Sequence, residues 1–225
     1  MAGENVKLRI LALHGFFQSD SAFRVKTGAF RKPFKKNVDF TYVCAPHKIL
    51  RTRPNADNNT DANAEEFGWW FNNSNTEFKA TNRSPEAVGF QESVQMIERI
   101  FKEQGPFDGI LGFSQGAAFA AILCAMQQKK LSSIRFNFAV MISGFKSRCE
   151  SHSVFYTECL DIPSLHVYGT GDQIVPPEMP QELTKLFANP ITLTHVGGHY
   201  VPGDKNLYKE FLEKMLFKKN NPDSR

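Results

Sequence analysis

Gly109-Ile110-Leu111-Gly112-Phe113-Ser114-Gln115-Gly116-Ala117-Ala118-Phe119-Ala120-Ala121 is the stretch on which the reading of this chain turns. An apolar run enters a glycine-flanked serine and an alanine-rich segment leaves it. Gly112, Ser114 and Gly116 fit G-x-S-x-G, in which glycines two residues either side let a strand turn sharply into a helix with the serine hydroxyl projecting. A glycine turn around an inert serine satisfies the bare pattern equally well. The context sharpens it: Gly109–Leu111 reads as a short buried strand and Gln115–Gln127 as a helix. The start of that helix aims N–H groups and a positive dipole end at the serine.

Working outward, strands and helices alternate. Lys7–Leu13, Val38–Cys44, Phe138–Ile142, Leu165–Tyr168 and Ile191–His195 read as further strands. Ser21–Phe34, about Pro177–Phe187 and about Leu207–Lys218 read as helices. So does a segment capped by Ser84-Pro85, whose residues Ala87, Phe90, Val94, Ile97 and Phe101 share one face. Crossover-length connections of this kind imply an α/β fold, a mainly parallel sheet with helices on both faces. Ligands then bind beyond the carboxyl ends of the strands. Pro46–Arg83 breaks the alternation as a long polar loop, expected near the active site. Its apolar island, Phe67-Gly68-Trp69-Trp70-Phe71, is read as a core anchor, as the wall or lid of an apolar cleft, or as both at once. No linker or repeat divides the chain, so residues 1–225 are read as one domain, with 219–225 as a flexible tail.

A serine hydroxyl needs a general base, and in such sheets the order is serine, acid, histidine. Asp172 follows a strand in Gly169-Thr170-Gly171-Asp172, where the glycines let the chain fold back and present a carboxylate. His199 follows the last strand in Gly197-Gly198-His199-Tyr200, a loop able to carry an imidazole towards Ser114. Glu178 is a reserve acid that opens a helix instead. His195 ends a strand and His166 lies inside one, so both are read as structural, and His152 and His47 have no companions of note. For the oxyanion of acyl transfer, one donor is the amide of Gln115 and the other the backbone of Phe16, in His14-Gly15-Phe16-Phe17-Gln18 after the first strand. His14 is assigned to shaping that loop. Phe17, Trp69, Trp70, Phe113 and Phe145, together with the Phe16 ring, are expected near an acyl chain, although 21 phenylalanines make plain core the rival reading for each.

Composition narrows the classes. A net charge of +4 from 27 basic and 23 acidic residues is mild. The clusters Arg31–Lys36 and Lys218-Lys219 read as solvated helix faces, and no aromatic RNA-binding motif accompanies them, so no nucleic-acid partner is expected. No segment approaches the ~20 apolar residues of a membrane span, and Met1–Lys7 is too polar for a secretory leader. Cys44, Cys124, Cys149 and Cys159 lack metal-ligand spacing and read as free thiols of a reducing compartment. Three Asn-x-Ser/Thr sequons, at Asn58, Asn72 and Asn82, fall in the asparagine-rich loop. The expected location is cytoplasmic. Neither G-x-G-x-x-G after a strand nor a P-loop is present, which leaves nucleotide chemistry without support.

Leu13-His14-Gly15-Phe16-Phe17-Gln18, Gly68-Trp69-Trp70, Gly109–Gly116, Ser143-Gly144-Phe145, Gly169-Thr170-Gly171-Asp172 and Gly197-Gly198-His199-Tyr200-Val201-Pro202 occur in that order from about Val6 to Lys218. Together they resemble the small serine-hydrolase family of fungi and animals whose animal branch is the ovarian-tumour-associated esterase. The resemblance implies an α/β-hydrolase without a large cap domain and without metal or organic cofactor. It implies a triad on Ser114, Asp172 and His199 that acts on small-molecule esters, in the animal branch those of longer straight chains. Fungal relatives imply thioester chemistry as the alternative. A peptidase or a non-catalytic binding protein on the same shell are further rivals, and the intact triad residues speak against the latter. The asparagine-rich stretch Asn55–Asn63 is the least family-like. Oligomeric state is left open.

Overall fold

A computed structural model describes residues 6–49, 65–74 and 76–222. Six parallel strands form the central sheet, in the order β2-β1-β5-β6-β7-β8. They are β1 (Leu8–Leu13), β2 (Val38–Val43), β5 (Gly109–Phe113), β6 (Phe138–Ile142), β7 (Ser164–Gly169) and β8 (Pro190–His195). A separate antiparallel pair joins β3 (His47–Lys48) to β4 (Phe67–Gly68). Buried on both faces, the inner strands carry unbroken apolar runs, and successive side chains feed opposite cores. Leu11, Leu13, Ile110, Ala139 and Met141 belong to one cluster, Ile10, Ala12, Leu111, Val140 and Ile142 to the other. The first is closed by α3 (Phe90–Gln104), α4 (Gln115–Gln128) and α5 (Glu178–Thr184), the second by α1 (Asp20–Lys26), α2 (Gly28–Arg31) and α6 (Lys209–Asn220). No helix of the described residues is long and apolar enough to cross a membrane.

Several boundaries differ from the sequence reading for identifiable reasons. Ser84 does not cap α3. It bridges to Cys149, and Phe71 bridges to Val88, so residues 84–88 stay outside the helix, which begins only at Phe90. The turn into it is made by Gly89 at φ +85°, where a side chain would also strike the His47 ring. The single helix expected over Ser21–Phe34 is three pieces, α1, α2 and a 3-10 turn Lys32–Phe34. Thr27 breaks it by turning its hydroxyl onto the Phe23 carbonyl, and Pro33 tightens the last turn. A 3-10 helix at Glu150–Tyr156 and the β3–β4 pair carry too little periodicity to be read. Lys219, expected in the tail, lies inside α6 and donates to the Lys7 carbonyl and the Asp108 carboxylate at 2.7 and 2.8 Å, so it is not part of a solvated face.

The described part of the 46–83 segment is the anchor and not an open wall. Trp69 and Trp70 are both 0% exposed. Trp69 donates its indole N–H to the His14 carbonyl at 2.8 Å and packs on Phe119, and its own carbonyl accepts the Ser93 hydroxyl. Phe145 is 1% exposed beside Phe78. These three rings, expected at an acyl chain, are core residues. Large rings between two layers of a sheet-and-helix sandwich remove the most apolar area from water per residue, and that use takes precedence. The asparagine-rich stretch Asn55–Asn63 lies outside the described residues.

Candidate active site

Ser114 stands between the end of β5 and the first residue of α4 at φ +53° and ψ −117°, a conformation that costs a non-glycine residue about 1–3 kcal/mol. The surroundings hold it there. Its N–H donates to the Ile142 carbonyl of β6, and its carbonyl accepts the Ala117 and Ala118 amides. Both flanking glycines are sterically required. A Cβ on Gly112 would lie 2.3 Å from the Gly116 carbonyl oxygen, and one on Gly116 2.3 Å from that of Leu13. The elbow is therefore as tight as the motif demands, with α4 backed directly onto the end of β1.

The loop after β1 crosses over the serine: a Cβ on Gly15 would sit 3.2 Å from that of Ser114. Four hydrogen bonds brace it. The Ala45 amide donates to His14 Nε2 at 2.9 Å, which puts the ring proton on Nδ1, and Nδ1–H donates to the Gly15 carbonyl at 2.7 Å. Gln18 Oε1 accepts the Gly15 amide at 3.1 Å, while the Gln18 carbonyl accepts the Phe67 amide. Gln115 ties the other side, its side-chain amide accepting from the Trp69 N–H at 2.9 Å and donating to the Trp70 carbonyl at 2.7 Å. With Gly15 occupied, Phe16 is the next amide of the loop and has no acceptor among the described residues. As the first residue of α4, Gln115 has no intrahelical acceptor for its N–H either. The bracing by Gln18, by the Gln115 side chain and by Trp69 went unread, because nothing local in the sequence distinguishes a bracing glutamine from a surface one.

Asp172 and His199 come together from loops after β7 and β8. Asp172 is 3% exposed, and its Oδ2 accepts His199 Nδ1–H at 2.7 Å. Oδ1 accepts the Ile174 and Val175 amides at 3.0 and 2.9 Å. Burial by itself would raise this carboxyl's pKa, but the hydrogen bonds from His199 and the two amides outweigh it and hold it below the ordinary value. The loops meet backbone to backbone, so a Cβ on Gly169 would fall 2.2 Å from the Gly197 carbonyl. His195 is the hinge-side support, its Nδ1 accepting the Gly197 amide at 3.1 Å. The His199 ring lies over Phe113, centroids 4.8 Å apart, which carries it to the residue just before Ser114. Glu178 opens α5 and takes no part.

Of the aromatic candidates, Phe113 lies under the imidazole, while Phe16 and Phe17 are half-buried in the loop beside the serine. Phe17 sits at φ +61°, and the Phe16 ring packs on Phe17, Phe78 and Phe71. Gly68 makes room for that ring, since a Cβ there would lie 2.7 Å from it. Ser143, at φ +47° after β6, is fully buried, with a hydroxyl that has no partner among the described residues. Among those residues no three His, Cys, Asp or Glu side chains converge as metal ligands do.

Three other histidines are buried. Burial lowers the pKa of His14 and His152 from 6.5 to about 4 and that of His166 to about 3. His152, read as lacking companions, hydrogen-bonds Ser147 among the rings of Phe90 and Trp70. These groups stay neutral in the native state, whereas the unfolded chain takes up a proton at each near pH 6.5. Stability is therefore complete above pH 6.5 and falls as the pH drops towards 4, on the order of 3 kcal/mol per histidine. Urea midpoints measured from pH 7 to 4.5 will decline over this window, and His166→Asn will flatten the slope. A midpoint independent of pH there would contradict neutral burial.

Comparison with known proteins agrees with this geometry. The chain matches the family described as Serine hydrolase (FSH1) over residues 2–211. It is 42% identical over 206 residues to Esterase CG5412 of Drosophila melanogaster, covering 92% of this chain and 72% of that one. It is 39% identical over 223 residues to Esterase OVCA2 of Danio rerio, covering 93% and 98%. Among solved structures, Zea mays acyl-protein thioesterase 2 superposes with a TM-score of 0.62 at 18% identity, covering 96% of each chain, a likeness of fold alone. A strained serine elbow, a hydrogen-bonded acid and histidine beside it, and a match across nearly the whole length lead to one statement: the chain belongs to the FSH1 family of serine hydrolases.

Proposed function

We propose that this serine hydrolase cleaves carboxylic esters of medium- to long-chain alkyl type through an acyl-Ser114 intermediate, with His199 as general base and acid and Asp172 as its orienting partner. The observation that carries the reading is the 2.7 Å hydrogen bond from His199 Nδ1 to a buried Asp172, which leaves Nε2 as the free base over Phe113 and next to the elbow. Ser114 Oγ attacks the ester carbonyl as Nε2 takes its proton. The carbonyl oxygen becomes an oxyanion, which the Phe16 and Gln115 amides would receive. Collapse breaks the acyl–oxygen bond, and the alcohol leaves with the proton from Nε2. A water deprotonated by the same nitrogen then attacks the acyl-serine, and the acid departs. A single domain covering the whole chain and a cytoplasmic setting belong to this proposal. Two core clusters built on one continuous sheet support the former, and four free cysteines the latter.

Half-buried Phe16 and Phe17 beside the elbow support the chain-length preference, because apolar contact adds about 0.8 kcal/mol for each methylene buried. In a p-nitrophenyl ester series from C2 to C12, kcat/KM will rise by about fourfold per methylene until the contact surface is filled. Activity flat across the series would remove the apolar chain from the proposal. The same triad serves sulfur esters, and the maize structural relative is named a thioesterase. Oxygen and sulfur esters of one acyl chain, assayed side by side, give the preference directly.

A further inference from the structure

The basic segment that begins at Arg31 does not simply face solvent. α1, α2 and the 3-10 turn Lys32–Phe34 run beside β2, the edge strand of the sheet, and flank an open concavity of about 350 Å³. Its walls carry four cations, Arg24, Arg31, Lys32 and Lys35, and one carboxylate, Asp39. Asp39 is already paired with Lys7 at 3.0 Å. None of the four cations has a carboxylate within ion-pairing distance among the described residues.

The two arginines are held in place. Their guanidinium carbons lie 5.9 and 5.6 Å from the centroid of the same Tyr42 ring, and Arg31 Nη2 donates to the Arg24 carbonyl at 2.9 Å. Arg31 Nε is buried and has no acceptor among the described residues. Like charges gathered around one concavity repel, and a buried N–H without an acceptor is costly. An oxyanion seated between them relieves the repulsion, and guanidinium forks match the oxygens of a phosphate. Phe40 supplies an apolar wall, and beside Gly28 the space is open enough that an added Cβ would meet nothing within 4 Å. A small organic substituent on the anion therefore has room.

We propose that the concavity between α1, α2 and β2 is a binding site for a phosphomonoester dianion, with Arg24 and Arg31 as its principal ligands and Lys32 and Lys35 at its rim. It shares none of Ser114, Asp172 or His199 and stands whether or not the ester reading holds.

The test uses the full chain at low ionic strength. Inorganic phosphate and glycerol 3-phosphate are titrated by calorimetry against chloride of matched ionic strength. Phosphatidylcholine vesicles with and without phosphatidic acid are co-sedimented with the protein. The expected result is saturable phosphomonoester binding, weakened about tenfold or more by Arg31→Gln and also by the double change Lys32→Gln with Lys35→Gln. The rim variant keeps the test decisive if Arg31→Gln does not fold, and circular dichroism with a thermal melt reports the fold of each. Binding of glycerol 3-phosphate in solution assigns a free metabolite. Saturable binding confined to phosphatidic acid vesicles assigns a lipid headgroup. No saturable binding of any probe, or binding equal to that of chloride, overturns the proposal. So does binding that both variants retain.

Discussion

Replacing Ser114 with alanine will lower kcat/KM for any ester substrate by about 10⁴- to 10⁶-fold and abolish fluorophosphonate labelling, while the protein remains folded. The fold should survive because the backbone holds this residue: its amide is bonded to Ile142 and its carbonyl to Ala117 and Ala118, none of which involves the hydroxyl. The positive φ of +53° adds a second readout. Ser114→Gly will be equally inactive but more stable than Ser114→Ala, by about 1 kcal/mol, since glycine meets no Cβ penalty in that region. Peptide mapping of the labelled wild type should find the adduct on Ser114. An alanine variant that still hydrolyses esters at more than a hundredth of the wild-type rate would move the nucleophile elsewhere. Glycine and alanine variants of equal stability would deny the strain.

Asp172→Asn will cost about 10⁴-fold in kcat with a much smaller change in KM. The side-chain oxygen of asparagine can still accept the Ile174 and Val175 amides, so the turn survives. The side-chain amide then faces His199 Nδ1 with an N–H, which that nitrogen can meet only as an acceptor. The ring proton moves to Nε2, and the base is lost at the atom that must take the Ser114 proton. A structural role alone would appear as a fall in Tm with kcat largely kept. The orienting role appears as the reverse, with fluorophosphonate labelling slowed in parallel with turnover. A kcat within tenfold of wild type would mean that the 2.7 Å contact is incidental. Its hydrogen bonds outweigh burial and keep the Asp172 carboxyl below its ordinary pKa, so the wild-type residue faces His199 as a carboxylate at neutral pH.

Much of this site was legible because strand ends announce themselves. An apolar run followed by glycine and a polar residue marks the carboxyl edge of a parallel sheet, and Ser114, Asp172 and His199 each stand just beyond such a run. The rings were not legible in the same way. Trp69 and Trp70 follow β4 in a polar segment, and composition there is as consistent with a cleft wall as with a core. Their burial depends on contacts with Phe119, Phe90 and His152, which arrive from other parts of the chain. The start of α3 was lost for a related reason. Ser84 is a good cap by type, but its partner across the bridge, Cys149, lies 65 residues away.

By itself the sequence determined the α/β class, the serine elbow and the candidates for acid and base, because hydrophobic period and glycine spacing are local properties that each segment carries alone. Tertiary structure decided how the loop after β1 is braced against the serine, that His14 is a neutral brace, that Trp69 and Trp70 are core, and that Arg24 and Arg31 share one tyrosine ring. Each depends on a hydrogen bond or ring contact between residues remote in sequence, and such contacts exist only once the layers have packed.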